Sequence, residues 1–175
     1  MTDPRSPSAR RLGISHPVPG SRRYVLPVQL REIMTSGVVT ADADADLLRV
    51  AQLMRDHSVG SVVICDTDGE PAAMVTDRDL TVRALAEERA PDEPVAEHAS
   101  RPLVTGEPDM DLEEAAALMV QHRIRRLPIV EGSSLVGIVT LDDIAVRTGN
   151  LEVAQRMTQD VIEGALPGFF FHERG

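Results

Sequence analysis

Two four-residue stretches set a hydroxyl and a carboxylate at matching positions: Thr76-Asp77-Arg78-Asp79 and Thr140-Leu141-Asp142-Asp143. Each follows an apolar, β-prone run and opens a helical pattern. A threonine at a helix N-cap with an acid three residues later makes a capping box, in which the two side chains satisfy backbone N–H groups left unpaired by the first turn. The same geometry serves a second chemistry. A helix start offers N–H groups and the positive end of the helix dipole, which suit a phosphate. The hydroxyl can donate to a phosphate oxygen, and an ionised Asp, an acceptor only, can take both hydroxyl protons of a ribose diol. The motif by itself leaves cap and ligand site both open.

Cations stand nearby in sequence. His122-Arg123-Ile124-Arg125-Arg126 brings three guanidinium groups to the start of an apolar strand. Guanidinium holds phosphate through paired N–H donors, and an acidic cleft needs such groups to accept an anion. The plainer alternative is pairing with surface carboxylates, since the chain has 28 Asp and Glu. In the first stretch Gly60-Ser61 stands where Arg125-Arg126 stand in the second, so two such sites are expected to be unequal. Arg78, inside the first Thr-x-x-Asp, is the candidate compensating cation. Asp142 holds that place in the second motif and repels phosphate.

Other chemistry-bearing residues lead nowhere specific. Asp42-x-Asp44-x-Asp46 begins like a calcium loop, but Leu47 stands where glycine is needed and Leu53 where the bidentate Glu is needed, so it reads as a solvated loop and a helix cap. His57 and His122 recur at the ends of matching helices, where a partial positive charge complements the dipole, and no metal site is assigned. Cys65 lies in a strand as a core thiol. Being the lone cysteine, it excludes an intrachain disulfide. With no nucleophile–base pair, metal cluster or Walker loop, an enzyme is not expected.

These residues are positioned by a duplication. Val39 and Thr40 return as Val104 and Thr105; Asp46, Leu47, Met54, His57 and Ile64 return as Asp111, Leu112, Met119, His122 and Ile129; Thr76, Asp79 and Arg83 return as Thr140, Asp143 and Arg147. One such unit cannot bury its apolar face alone, so two copies are expected to pack on each other. Within each copy the pattern reads β-α-β-β-α. In the first, the spacing predicts a strand over Gly37 to Thr40, a helix capped by Asp46 with Leu47, Val50, Ala51 and Met54 on one face, and strands at Ser61 to Cys65 and Ala72 to Val75. A closing helix then runs from Thr76 or Asp77 to about Glu88. In the second, strands are predicted over Ile124 to Val130 and Leu135 to Val139, with Leu141 opening the last helix of the repeat. The domain reading is a flexible Arg/Pro-rich tail over 1–27, repeats over 28–90 and 91–148, and over 149–175 an amphipathic helix (Glu152 to about Leu166) with a Phe169-Phe170-Phe171 tail.

Composition bounds the partners. Net charge is −10, which disfavours nucleic acid and anionic membrane. Five arginines lie within residues 1–27 against Asp3 alone, so the folded body is more acidic still. The aromatics, Tyr24 and Phe169 to Phe171, all lie outside the repeats, which leaves an aliphatic core. No apolar run approaches the ~18 residues of a membrane span, and the N-terminus lacks a signal peptide's apolar segment; the expectation is a cytoplasmic protein.

Gly137-Ile138-Val139-Thr140-Leu141-Asp142-Asp143-Ile144, its weaker copy Met74 to Leu80, and Arg125-Arg126-Leu127-Pro128-Ile129-Val130 together resemble a pair of cystathionine-β-synthase (CBS) domains, a Bateman module. The resemblance covers about residues 28–148, and Thr-Asp-Arg-Asp-Leu in the first copy is similar to small stand-alone bacterial members. It implies an α+β layered fold in which the two repeats pack with pseudo-twofold symmetry. It also implies a non-catalytic sensor whose ligand is an adenosyl compound: AMP, ADP, ATP or S-adenosylmethionine. No cofactor is required. Carried over, Thr76 and Thr140 contact phosphate or ribose, Asp79 and Asp143 hold ribose hydroxyls, and Arg125 and Arg126 face phosphates. Backbone near Val39-Thr40 and Val104-Thr105 meets the adenine edge, with Val62, Ile64 and Ile129 as apolar walls. Ala73 stands where the second copy has Gly137, a methyl expected to narrow the first site. The family's assembly implies a homodimer read by a protein effector. The alternative is a ligand-free dimerisation or interaction module.

Overall fold

The computed structural model describes residues 28–147 together with Gln155 and Gln159. The N-terminal tail and, apart from those two glutamines, the C-terminal helix and Phe tail lie outside the described residues.

The fold is α+β, built from two β-α-β-β-α repeats. In the first, β1 (Thr40–Asp42) pairs in parallel with β2 (Ser61–Cys65), which pairs antiparallel with β3 (Pro71–Thr76). The helix α2 (Leu47–His57) crosses between β1 and β2. Asp46 caps it, accepting the Arg49 N–H at 2.6 Å, and Leu47, Val50 and Met54 are its buried face. Asp66 closes the β2–β3 turn by accepting the N–H groups of Asp68 and Glu70, and Gly69 supplies the left-handed φ of 81° that the turn requires. β1 starts three residues later than the sequence pattern predicts. Gly37 is itself in a left-handed turn (φ 76°), so extended pairing begins only at Val39, whose carbonyl accepts from Val63 N.

The second repeat follows the same order with α4 (Leu112–His122), β4 (Arg126–Glu131), β5 (Ser134–Thr140) and α5 (Leu141–Arg147). Asp111 caps α4 as Asp46 caps α2. Its first strand shrinks to a single bridge: Gly106 donates to Pro128 O and accepts from Val130 N. In the first repeat the closing helix is irregular. It opens as α3 (Asp77–Asp79), widens to a π-turn over Leu80–Ala84, tightens to a 3₁₀ turn over Leu85–Glu87, and stops at Glu88 in the left-handed region.

The packed units are not the sequence repeats. α1 (Leu30–Ile33) belongs by sequence to the first repeat, yet Leu30 and Ile33 lie in the core of the second, with Met119, Leu127, Ile129, Val139 and Ile144. Leu30 N donates to Met110 O and Arg31 N to Pro108 O, and Thr35 bridges Ile138. The reciprocal holds. Val95, at the start of a 3₁₀ turn (Val95–Glu97), is buried in the core of the first repeat with Val50, Val62, Ile64 and Val75. Its N–H donates to Ala45 O, Leu47 N donates to Glu93 O, and Ser100 bridges Met74. Each repeat thus lends its leading turn to the other. Burying Leu30 completely contributes roughly 1.5–3 kcal/mol, and it fastens the two halves together rather than one half to itself.

Candidate functional site

The two Thr-x-x-Asp motifs form the same closed arrangement. Thr76 N donates to Asp79 Oδ2 at 2.9 Å, the Thr76 hydroxyl donates to the same oxygen at 2.7 Å, and Asp79 N donates back to Thr76 Oγ1 at 3.2 Å. Thr140 and Asp143 repeat this at 2.9, 2.7 and 3.1 Å. Both motifs are therefore complete capping boxes. Oδ2 of each Asp and the hydroxyl of each Thr are engaged in the cap, so a ligand has to use the remaining carboxylate oxygen or displace a cap bond. In the first repeat that oxygen, Asp79 Oδ1, lies 3.4 Å from Arg83 Nε.

The strand register decides which arginine joins the motifs. Arg126 pairs directly across the ladder with Thr140, so their side chains share a face. Its guanidinium runs toward the first repeat. A Cβ built on Gly60 stands 3.1 Å from Arg126 Nη2 and 3.3 Å from Asp77 Oδ2. Glycine at 60 thus leaves the room that Arg126 occupies, beside the first residue of α3. Arg126 is half-buried, with its base at the second motif and its tip at the first. Arg125 is exposed, and its carbonyl accepts Leu141 N as Gly60's accepts Asp77 N. Arg123 is the left-handed residue (φ 55°) that ends α4. Arg78 is exposed next to Asp77.

The residues expected at an adenine edge divide by burial. Val39 and Val104 are partly buried against the first and second cores, Thr40 is exposed and Thr105 half-buried. Val62, Ile64 and Ile129 have no exposed surface, so they stand behind any cleft as core residues. The Ala73–Gly137 contrast has a different meaning from the one the sequence suggests. A Cβ on Gly137 stands 2.7 Å from Met34 Sδ, so the missing methyl makes room for Met34 of the exchanged segment. Sequence reasoning noted Gly60 only as a gap in the cation pattern and passed over Asp77. The signal was the pairing of a small residue in one copy with an arginine in the other.

Away from this site, burial, with Asp42 and Asp66 adding to it, pushes the Cys65 thiol above its ordinary value, so it is protonated at neutral pH. The Ala90 N–H, with His98 and Arg89 adding to it and burial opposing, holds the Glu93 carboxyl below the usual carboxylate range. Among the described residues no helix is long and apolar enough to cross a membrane.

Comparison with known proteins fits this architecture. The CBS domain family model matches residues 30–85 and 95–147, so each match begins at an exchanged turn. The CBS domain-containing protein YhcV of Bacillus subtilis is 42% identical over 125 residues, covering 71% of this chain and 89% of that one. Hypoxic response protein 1 of Mycobacterium tuberculosis is 34% identical over 116 residues, covering 66% and 81%. A crystal structure of Hypoxic Response Protein I with two coordinated zinc ions superposes with a TM-score of 0.62 at 34% identity, over 67% of this chain and 97% of that one. A CBS domain protein from Pyrobaculum aerophilum complexed with AMP gives 0.66 at 27% identity, over 73% and 99%. The chain belongs to the CBS domain family, as a tandem pair whose two repeats exchange their leading turns.

Proposed function

We propose that this CBS pair is a non-catalytic regulatory module that binds an adenosyl ligand, AMP, ADP, ATP or S-adenosylmethionine, between its repeats. One observation carries the reading: Arg126 lies cross-strand from Thr140 and extends to Gly60 and Asp77, so a single guanidinium stands between the two Thr-x-x-Asp motifs. An anion bridging that gap gains paired N–H donors, and Asp79 and Asp143 are the acceptors for a ribose diol. The AMP complex of the Pyrobaculum aerophilum neighbour supports an adenosine moiety. Thr76, Thr140, Asp79, Asp143, Arg126 and, at the rim, Arg78 and Arg125 are the binding residues, with the backbone around Val39-Thr40 and Val104-Thr105 against the base. Binding then acts by favouring one of two module shapes, which requires different affinity for the two. The module works as a homodimer in the cytoplasm, read by a protein effector. Leu48, Val82 and Leu85, 52%, 48% and 75% exposed on the first repeat, support a protein contact there.

A second reading rests on the caps. Because Thr and Asp satisfy each other in both repeats, the motifs are stable as structure alone, and the chain serves as an interaction module. Titrating nucleotide-free protein with the four ligands by calorimetry separates the two. Micromolar binding of one ligand, lost in Asp143→Ala, supports the sensor. No heat at two temperatures for any ligand favours the interaction module.

A further inference from the structure

His98 breaks the symmetry between the two exchanged turns. It follows Ile33 at the repeat spacing, and both fill the same place, Ile33 at 3% and His98 at 6% exposure. The fold accepts an aliphatic side chain there. Burying an imidazole instead has a cost unless its nitrogens find partners. Its Nε2 lies 3.1 Å from Glu93 Oε2. Glu93 is itself held in place, because its Oε1 accepts the Ala90 N–H at 3.0 Å, which leaves Oε2 turned to the ring. Glu97, exposed and one residue before His98, completes a set whose ligand atoms all lie within 4.8 Å of one another. The equivalents in the other exchanged turn are Val28, Glu32 and Ile33, so the cluster occurs on one side of the pair only.

We propose that Glu93, Glu97 and His98 bind one divalent transition metal of the zinc class, through one imidazole nitrogen, two carboxylate oxygens and a water. Donors about 2.0–2.2 Å from a tetrahedral zinc stand a little over 3 Å apart. The His98–Glu93 separation already matches, and only Glu97, on an exposed turn, has to close. The mixed nitrogen and oxygen set suits zinc and its neighbours, whereas calcium and magnesium prefer oxygen alone. The Ala90 N–H orients a ligating carboxylate in the way outer-shell partners of metal sites do. The site has a mechanical consequence. The Glu93 carbonyl accepts Leu47 N and Pro94 bridges Asp46, so a metal here stiffens the exchanged segment that makes these backbone contacts to the first repeat, and metal binding stabilises the folded module by mass action.

The test uses the untagged full chain, stripped with EDTA and titrated with zinc chloride by calorimetry and thermal melting. One equivalent is expected to bind and to raise the Tm. Glu97→Gln is expected to weaken binding roughly tenfold or more with the metal-free Tm unchanged. His98→Ile, which installs the residue of the symmetry-related turn, is expected to fold and to lose the site. Exposed Glu113→Gln is expected to change nothing. If His98→Ile does not fold, Glu93→Gln takes its place. No binding by the unaltered chain overturns the proposal and leaves His98–Glu93 as a hydrogen-bonded pair. Binding that Glu97→Gln and His98→Ile leave intact, or that Glu113→Gln weakens equally, overturns it too.

Discussion

The two repeats carry matching caps in different surroundings. Each Thr-x-x-Asp box closes through the same three hydrogen bonds, with corresponding distances agreeing to about 0.1 Å. Beside the first box stand Asp77 and the bare Gly60; beside the second stands Arg126, whose tip leans over to Gly60. The helix after the first box passes through a π-turn, while α5 after the second is regular. Local backbone chemistry, satisfied within four residues, is common to both copies. Charge and long-range contacts differ between them. The two motifs are therefore not independent duplicates: one arginine, Arg126, reaches from the second to the first.

The sharpest way to break this picture is at the exchange. Leu30→Ala is expected to cost about 2–5 kcal/mol, read by urea denaturation. Its location matters more than its size. Protection from hydrogen exchange should fall first at Leu127 and Val139 in the second core, although residue 30 lies in the first repeat by sequence. Early loss at Val62 and Val75 instead would mean that each repeat holds its own leading turn.

Arg126→Ala sharpens the electrostatic contrast. It should weaken ATP binding by about 1.5–3 kcal/mol, the scale of a hydrogen bond to a charged group, and leave adenosine binding nearly unchanged. Arg125→Ala, at an exposed position, should do far less. Asp77→Asn should tighten ATP, because it removes a carboxylate that borders the same Gly60 space as the Arg126 tip. Equal effects of the two arginine variants on ATP and adenosine, measured by calorimetry, would contradict a bridging guanidinium.

Much of this was legible in the sequence because it is local. The Asp46 and Asp111 caps, the Asp66 turn and both capping boxes rest on spacings of two to four residues, where hydrogen-bond geometry leaves few alternatives, and the duplication follows from such local patterns recurring 64 or 65 residues apart. The exchange was not legible. Leu30 and Ile33 fall by sequence at the start of the first repeat, and nothing local says that they meet residues 108–141 rather than their own strands. The same holds for Met34 on Gly137, where a glycine that looked like room for ligand is room for a neighbour's side chain. The β4–β5 register sets Arg126 opposite Thr140, and its reach toward Gly60 depends on packing between repeats. β1 was displaced because a parallel strand takes its limits from its partner, here β2, and from the Gly37 turn.

That glycine contact gives the next comparison. Gly137→Ala drives a methyl into Met34 and should destabilise by about 1–3 kcal/mol, the usual cost of overpacking. Met34→Ala in the same chain should recover most of the loss, since it restores the Ala–Ala pairing that Ala73 and Ala99 present at the equivalent place. A double variant no better than the single one, by thermal melting, would show that the space at Gly137 is not Met34's.

The smallest expected effect tests whether the caps are equal in energy as well as in geometry. Thr76→Val and Thr140→Val each keep the side-chain shape and remove the hydroxyl. Each loses the bond accepted from the Asp N–H and the one donated to Oδ2, and should cost about 0.5–2 kcal/mol. Since the two boxes match in distance, the two costs should match within about 0.5 kcal/mol. Thr→Ser at either position should recover most of the loss. A clear excess at one position would mean that something beyond the box is held there. For Thr140 the candidate is Arg126, its cross-strand neighbour, and combining Thr140→Val with Arg126→Ala would then give less than the sum of the two losses. Additive losses would leave the boxes as equal caps and place the whole inequality of the repeats in the charges around them.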